Sequence, residues 1–569
     1  MRPKFHLPEH LRCELNFVEE LEKSLKQNWD LMAVSDYGGK THYTYGECAR
    51  MFLAIHQFFG DAKIKRGDRI AILGRNSANW AVSYLAAISY GAVNVPLLPD
   101  FHPADLVHLL NHSESRVLFA LPSLFEAIDP AELKYLEVVI SLEDMEILWQ
   151  KKKTLKKSIR EYAHSLLVDR NTFQLPKVGT HDFASLVYTS GTTGFSKGVC
   201  LSCSHLMSNI KYARDTMPLF PGETILSFLP VAHSFGCAFE FLFPFFTGCH
   251  INFLSRTPTP TVLIEAFAKV KPSLILSVPL IIEKMYYKKI KPALDKPVLR
   301  LLRFVPGVNA AIKKKVRDQL VATFGGNFRE VVIGGAAFSP EVEAFLRSVE
   351  FPFTVGYGMT ECGPLISYSP WKEYAPHSVG RVVDRMEVKI VPLHPGDTSG
   401  EIMVRGANVM SGYYKNPDAT KEVFDEDGWL HTGDMGYIDE KGFIYINGRC
   451  KTMLLGPSGQ NIYPEEIEAK LNVLPYVQES LVVSREHQLV ALVYPDMDRI
   501  DQEKLTEQQI VSIMEENRKK LNEMLPAYAK VVRIEIMSEE FEKTPKKVSK
   551  DFCICKGEKN FKKTPRCVK

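Results

Sequence analysis

The chain has 569 residues, too long for one small hydrophobic core and consistent with roughly three or four domain-sized units. Charged residues make up 24% and hydrophobic residues 45%, an ordinary globular balance, and the formal net charge of +3 implies no nucleic acid or other polyanionic partner. Eleven cysteines, an odd number without C-x-x-C pairs, argue against a full disulfide framework and favour reduced, intracellular thiols.

The opening residues, MRPKFHLPEHLRCEL, hold no apolar stretch of the secretory kind. From Phe17 to Phe59 the pattern reads as helix, turn, helix, the second helix carried by apolar positions at helical spacing in THYTYGECARMFLAIHQFF. GDRIAILGRNSANWAVSYLAAISYGAVNVPLLP, SRVLFA and LEVVISL then alternate β-rich runs with amphipathic ones, the pattern of parallel α/β units. Lys151 to Lys157, KKKTLKK, is the strongest charge run. It reads as a solvated helix face, with weak attraction to anionic lipid as the sharper alternative.

The apolar run Ala184 to Val187 leads straight into YTSGTTGFSKG, Tyr188 to Gly198. Gly191 and Gly194 tolerate positive φ, so backbone N–H groups there can turn toward an anion, and Lys197 supplies a point charge for a phosphoryl oxygen. The plain alternative is a Ser/Thr/Gly surface loop that needs no ligand. A Walker A pattern cannot be laid over it.

The α/β alternation resumes through TILSFLP, CHINFL, PSLILSVP and REVVIGG, whose strands end in Gly, Pro or Ser. In open α/β sheets such carboxyl-end turns are where ligands bind. The most apolar window, Phe235 to Leu254, is interrupted by Glu240, Pro244, Gly248 and His250, and so reads as core or as the wall of an apolar pocket rather than a membrane span. Just before it, His233 reads by itself as a satisfied core histidine. In VVIGGAAF a strand ends in Gly334 and Gly335.

In TVGYGMTECGP, Gly356 and Gly358 flank Tyr357, whose ring can stack on a planar base with the backbone close by. Thr360 offers a hydroxyl to a phosphate and Glu361 a hard oxygen to Mg²⁺. From Val379 the texture turns to short hairpin segments, as in a meander or small barrel. Asp434, in WLHTGDMGYID, reads as a Gly-flanked turn residue that either accepts hydrogen bonds from both hydroxyls of a ribose or simply forms the turn. Arg449 follows with a guanidinium. After it the composition shifts to the helix YPEEIEAKLN, the strands ESLVVS and QLVALVYP, and a long amphipathic helix from Glu507 to Leu525. Two domains are expected, 1–450 and 451–569.

YTSGTTGFSKG, GGAAFSPEVE, TVGYGMTECGP, DGWLHTGDMGYID and GRCKTMLLGPSGQNIYPEEIE together resemble the signatures of the adenylate-forming (AMP-binding) superfamily, notably its long-chain fatty acid–CoA ligases, over nearly the whole chain. The resemblance implies an α/β fold: a large N-terminal domain of parallel α/β sheets with a β-barrel-like subdomain over residues 379–450, then a smaller, mobile α+β domain. It implies ATP, Mg²⁺ and, as substrate, CoA, with a fatty acid converted to acyl-AMP and then to acyl-CoA. On that pattern Thr189, Ser190, Gly191, Thr192, Thr193, Gly194 and Lys197 would hold phosphates, and Thr189 and Glu361 the metal. Gly335, Ala336, Tyr357, Gly358, Met359 and Thr360 would surround the adenine and α-phosphate, Asp434 and Arg449 the ribose, and His233, Gly334 and Gly335 the acid. Lys197, Thr360, Glu361, Arg449 and Lys547 would form the catalytic set, with Lys451 as hinge and Gly459 near the thioester-forming centre. Phosphopantetheine of a carrier protein as acceptor, or a catalytically impaired nucleotide-binding relative, are the alternatives. A cytoplasmic location with peripheral contact at the inner membrane surface is the expected setting.

One segment departs from the pattern. The family's C-terminal lysine should fall three residues past Pro545, where Val548 stands, and Lys546 and Lys547 are out of register. The tail 548–569 carries Cys553, Cys555, Cys567 and many lysines without apolar periodicity. A frame shift after the lysine run would restore an ending close to KIKRFLY; a natural divergent tail is the alternative.

Overall fold

Strands Arg69–Leu73, Val93–Leu97 and Ser115–Ala120 are almost wholly apolar and are buried nearly end to end, as parallel strands must be when helices cover them. They centre a seven-stranded sheet in the order Ile147–Gln150, Val138–Ser141, Ser115–Ala120, Arg69–Leu73, Val93–Leu97, Phe183–Thr189, Lys197–Ser202. Its neighbours run parallel except at the two edges, where the outermost strand on each side turns back antiparallel. Helix Ala78–Tyr90, apolar on almost every face, packs on the strands either side of it. The computed structural model describes residues 7–189, 197–294, 306–450, 452, 454–455, 461–485, 488–526 and 529–541.

The expected helix, turn, helix near the N-terminus is richer than its pattern. Between helix Phe17–Gln27 and helix Tyr45–Asp61 the chain forms a hairpin of Met32–Asp36 with His42–Thr44. The second helix starts only at Tyr45, because a capping box of Thr44 with Glu47 satisfies its first N–H groups there. The hairpin extends a second sheet by pairing with His250–Phe253, which in turn pairs with Thr224–Ser227.

One further expectation is corrected and another is narrowed. KKKTLKK is not a helix but a mostly exposed turn beyond the edge strand Ile147–Gln150, because its like charges repel and it has no apolar stripe to dock. The aromatic run after His233 is core: Phe239, Phe241, Phe243, Phe245 and Phe246 are all buried. Edge-on and tilted contacts join Phe246 to Phe17, Phe245 to Tyr45, and Phe241 to Trp80 and Tyr84. Among the described residues no helix is long and apolar enough to cross a membrane.

A third sheet, Ile275–Ser277, Val331–Ile333 and Phe353–Val355, is parallel throughout, so its carboxyl ends deliver Gly334, Gly335 and Gly356 to one rim. The β-rich stretch that follows is an antiparallel meander of Met386–Pro392, Gly400–Gly406, Leu430–Ile438 and Ile444–Arg449. The C-terminal region is α+β: helices Pro464–Leu471 and Glu507–Glu523 pack on a sheet of Val477–Arg485, Gln488–Pro495 and Val531–Ile536. Ile467, Leu471, Ala491, Val493, Met514 and Leu521 form a core there, separate from that of the large region.

Candidate active site

Strand Phe183–Thr189 runs parallel to Val93–Leu97, so Thr189 is its carboxyl end, and the chain returns antiparallel through Lys197–Ser202. Thr189 and Lys197 face each other in register, with the threonine hydroxyl donating to the Lys197 carbonyl at 3.4 Å. Ser190, Gly191, Thr192, Thr193 and Gly194 lie outside the described residues, but both anchors of the expected phosphate loop are fixed side by side at a sheet edge. The Lys197 ammonium lies 4.9 Å above the centroid of the Tyr413 ring. The Tyr413 hydroxyl donates to Glu361 Oε1 at 2.9 Å. Burial, reinforced by the Glu361 charge, raises the Tyr413 phenol above its ordinary value and keeps its proton on.

Tyr413 is not singled out by its sequence context, GYYKNP. Its place comes from a backbone seam, in which the Tyr414 N–H donates to Gly198 O at 2.7 Å and the Cys200 N–H to Gly412 O at 3.0 Å. Gly412, at φ +130°, lets the chain bend into that seam.

The turn from Tyr357 to Pro364 brings a second set of groups. Thr360 to Cys362 form one 3₁₀ turn, with Thr360 buried and Glu361 half-buried. The Ser234 hydroxyl donates to Thr360 Oγ1 at 3.3 Å, tying this turn to the segment after His233. The Met410 N–H donates to Glu361 O at 2.7 Å, so the glutamate is held through backbone as well as side chain. A Cβ on Gly334 would lie 3.3 Å from Phe235 Cζ and 3.5 Å from Gly356 O, so the two segments meet closely at this glycine. Gly335, at φ +89°, and Ala336 are exposed at the rim, with Gly358 and Met359 on the neighbouring turn.

Asp434 is the correction here. It lies inside strand Leu430–Ile438, directly opposite Arg449 on the next strand, rather than in a turn. Its misleading neighbour Gly433 takes a positive φ within the strand. The residue is 6% exposed and its carboxyl is doubly engaged: Oδ2 accepts from the Tyr357 hydroxyl at 2.6 Å and Oδ1 pairs with Arg449 Nε at 3.2 Å. Burial pushes its pKa up, opposed first by the Arg449 charge and then by the Tyr357 hydrogen bond. Since a carboxylate has about four lone-pair sites, acceptor capacity remains for other hydroxyl donors.

His233, half-buried, opens the turn Ser234–Gly236; its N–H donates to Pro230 O at 2.9 Å and its carbonyl accepts from Cys237 N–H at 2.8 Å. The segment leading to it is clamped from below. The Asn76 amide holds Leu229 O and the Val231 N–H, while Glu240 Oε2 accepts from Ser227 Oγ, Phe228 N and Leu229 N.

Among the described residues no three His, Cys, Asp or Glu side chains group as a metal cage. A cation at Glu361 would therefore take most of its ligands from phosphate oxygens and water, which is the habit of Mg²⁺. The donor set fits such an ion: Oε1 of Glu361 is engaged by Tyr413, and Oε2 accepts no hydrogen bond from the described residues. Lys451, Gly459 and Lys547 lie outside those residues.

Lys197, Tyr413 and Glu361 form one linked set of groups and Tyr357, Asp434 and Arg449 a second, the two sharing the turn Tyr357 to Pro364 that carries both Tyr357 and Glu361. Against known proteins, the chain is 31% identical over 465 residues to the long-chain-fatty-acid–CoA ligase FadD15 of Mycobacterium bovis, covering 78% of this chain and 75% of that one. It is 30% identical over 498 residues to long chain acyl-CoA synthetase 6, peroxisomal, of Arabidopsis thaliana, covering 80% and 68%. The crystal structure of ATP-bound MatB from Rhodopseudomonas palustris shares the fold at a TM-score of 0.73 and 23% identity, over 95% of this chain and 98% of that one. Residues 21–414 match the family model of the AMP-binding enzyme and residues 452–563 that of the AMP-binding enzyme C-terminal domain, and the chain belongs to this enzyme family.

Proposed function

We infer that the protein activates a long-chain fatty acid with ATP and passes the acyl group to the thiol of CoA. The observation that carries this reading is the pair of linked sets Lys197–Tyr413–Glu361 and Tyr357–Asp434–Arg449, joined by the turn Tyr357 to Pro364, which together offer a cation, a metal-seeking carboxylate and a buried sugar-seeking carboxylate. In the first step a carboxylate oxygen of the acid attacks the α-phosphorus of ATP and the bond to pyrophosphate breaks. Lys197 and the loop from Thr189 neutralise the departing β- and γ-phosphates, and Thr360 and Arg449 take the α-phosphate side. Asp434 accepts from the ribose hydroxyls, Tyr357 lies against the adenine with Gly335, Ala336, Gly358 and Met359, and Gly334 and His233 line the approach of the acid. Thr189 and Glu361 would hold Mg²⁺, which supplies charge neutralisation to the phosphates. In the second step the CoA thiol attacks the acyl carbonyl and AMP leaves.

A long acyl chain suits the names of the two relatives above, each buried CH₂ being worth about 0.8 kcal/mol. The setting we infer is cytoplasmic, with the exposed Lys151–Lys157 run as a weak contact for anionic lipid, a contact that co-sedimentation with anionic vesicles would read.

Acid-dependent exchange of pyrophosphate into ATP tests the first step. Robust exchange is expected in the wild type and none in Lys197→Ala; undiminished exchange in that variant contradicts the assignment, and its absence from the wild type favours a binding-only protein. Thioester formation across fatty acids of increasing length, with CoA and with a carrier protein in parallel, decides chain length and acceptor. Product on the carrier protein alone would overturn CoA as acceptor.

A further inference from the structure

Lys197 and Glu361 carry opposite charges, yet they meet through Tyr413: the ammonium on the ring face and the carboxylate on the hydroxyl. A direct ion pair between them would cancel the two charges that an incoming triphosphate and its cation both need. The tyrosine is well placed to prevent this. Its backbone is sewn to the strand that carries Lys197, with Val199 paired to Tyr413 and the Tyr414 N–H on Gly198 O. Its N–H also donates to Thr420 Oγ1 at 2.9 Å, and Met410, three residues earlier, binds the Glu361 backbone. The ring is thus fixed from both sides, with its hydroxyl donating to Glu361 Oε1 at 2.9 Å.

We propose that Tyr413 is a positioning residue that keeps Lys197 and Glu361 separate and directed at one ligand, a nucleoside triphosphate with its divalent cation. The ring face parks the ammonium, and the hydroxyl occupies Oε1 so that Oε2 is the oxygen left for the cation. This deepens the nucleotide reading of the site and rests on it. The two halves of the role separate by substitution: Tyr413→Phe keeps the ring and removes the hydroxyl, while Tyr413→Leu removes both.

The test is calorimetric titration of the full chain with ATP, once without divalent cation and once at graded Mg²⁺, with thermal unfolding of each variant alongside. Tyr413→Phe is expected to bind metal-free ATP as the wild type does, but to need about tenfold more Mg²⁺ for half-maximal enhancement of ATP binding, the scale of one lost hydrogen bond to a charged group. Tyr413→Leu is expected to lose a further factor of about three in metal-free ATP affinity, the scale of a part-exposed cation–π contact. A merely structural tyrosine would shift unfolding and leave the Mg²⁺ dependence alone. If the leucine variant does not fold, the phenylalanine variant decides by itself. Wild-type Mg²⁺ dependence in Tyr413→Phe overturns the proposal while the nucleotide reading stands. Failure of the wild type to bind ATP under either condition overturns both.

Discussion

Glu240 illustrates how much a single residue beneath the site carries. It is fully buried on the π-helical turn Cys237–Leu242, with three donors on Oε2 and no partner for Oε1 among the described residues. Desolvation raises its pKa well above 4.5, and the hydrogen bonds from Leu229, Ser227 and Phe228 oppose that shift without reversing it. Above pH 4.5 the unfolded chain has released a proton that the native chain keeps, so this group's contribution to stability falls as pH rises toward the native pKa. The slope is at most about 1.4 kcal/mol per pH unit. Glu240→Gln keeps the volume and one carbonyl acceptor but cannot titrate. Relative to the wild type it should therefore gain stability between about pH 5 and about pH 8, read from urea midpoints at the two values. A wild-type-to-variant difference that stays constant over that range would show that Glu240 is ionised in the native state.

Other single residues show what a sequence conceals. Asp434 reads as a turn residue because glycines flank it, but Gly433 takes its positive φ within a strand, and the partner that defines Asp434 lies on the next strand. Tyr413 is one of two adjacent tyrosines, and its hydroxyl partner is 52 residues away. No local pattern separates it from Tyr414. Glu361 and Lys197, by contrast, stand in motifs whose residue types already state their chemistry.

At the scale of elements, what was legible follows how local each signal is. The parallel strands from Arg69 to Ser141 are short apolar runs closed by turn residues, and they appear where the pattern places them. The hairpin before Tyr45 was not, because its first strand joins the sheet only by pairing with His250–Phe253, more than two hundred residues on. The aromatic run after His233 is ambiguous in composition, since a pocket wall and a core need the same residues; the packing of Phe241, Phe245 and Phe246 makes it core. The turn from Tyr357 to Pro364 is specified more tightly than its sequence reveals. The Met359 N–H donates to Pro364 O at 2.9 Å, and a Cβ on Gly358 would collide with that same carbonyl oxygen. Relief requires backbone movement across the segment that holds Thr360 and Glu361. Gly358→Ala should therefore cost about 1–3 kcal/mol in urea unfolding and weaken MgATP binding as well. Wild-type stability together with wild-type affinity would show that the turn yields freely.

The whole molecule poses a problem of order, because one site must serve two steps. On the reading proposed above, the phosphates occupy the rim between Lys197 and Glu361 in the adenylation step, and in the second a thiol must reach the acyl carbonyl from which AMP departs. The C-terminal region has its own hydrophobic core, distinct from that of the large region, so it could move as a body without unpacking. Its link to the large region runs from Arg449, whose guanidinium pairs with Asp434, to Thr452, whose hydroxyl donates to Glu465. Lys451 stands between these two anchored residues in sequence, and we propose it as the pivot. A proline there fixes φ near −65° and removes an N–H, restricting rotation without touching either anchor. Lys451→Pro should then leave pyrophosphate exchange within about threefold of the wild type while lowering thioester formation from preformed acyl-AMP by about a hundredfold, since misplacement by about 1 Å costs that much. Equal losses in the two half-reactions would place the pivot elsewhere, and an unaffected second step would mean that both reactions run in a single arrangement of the chain.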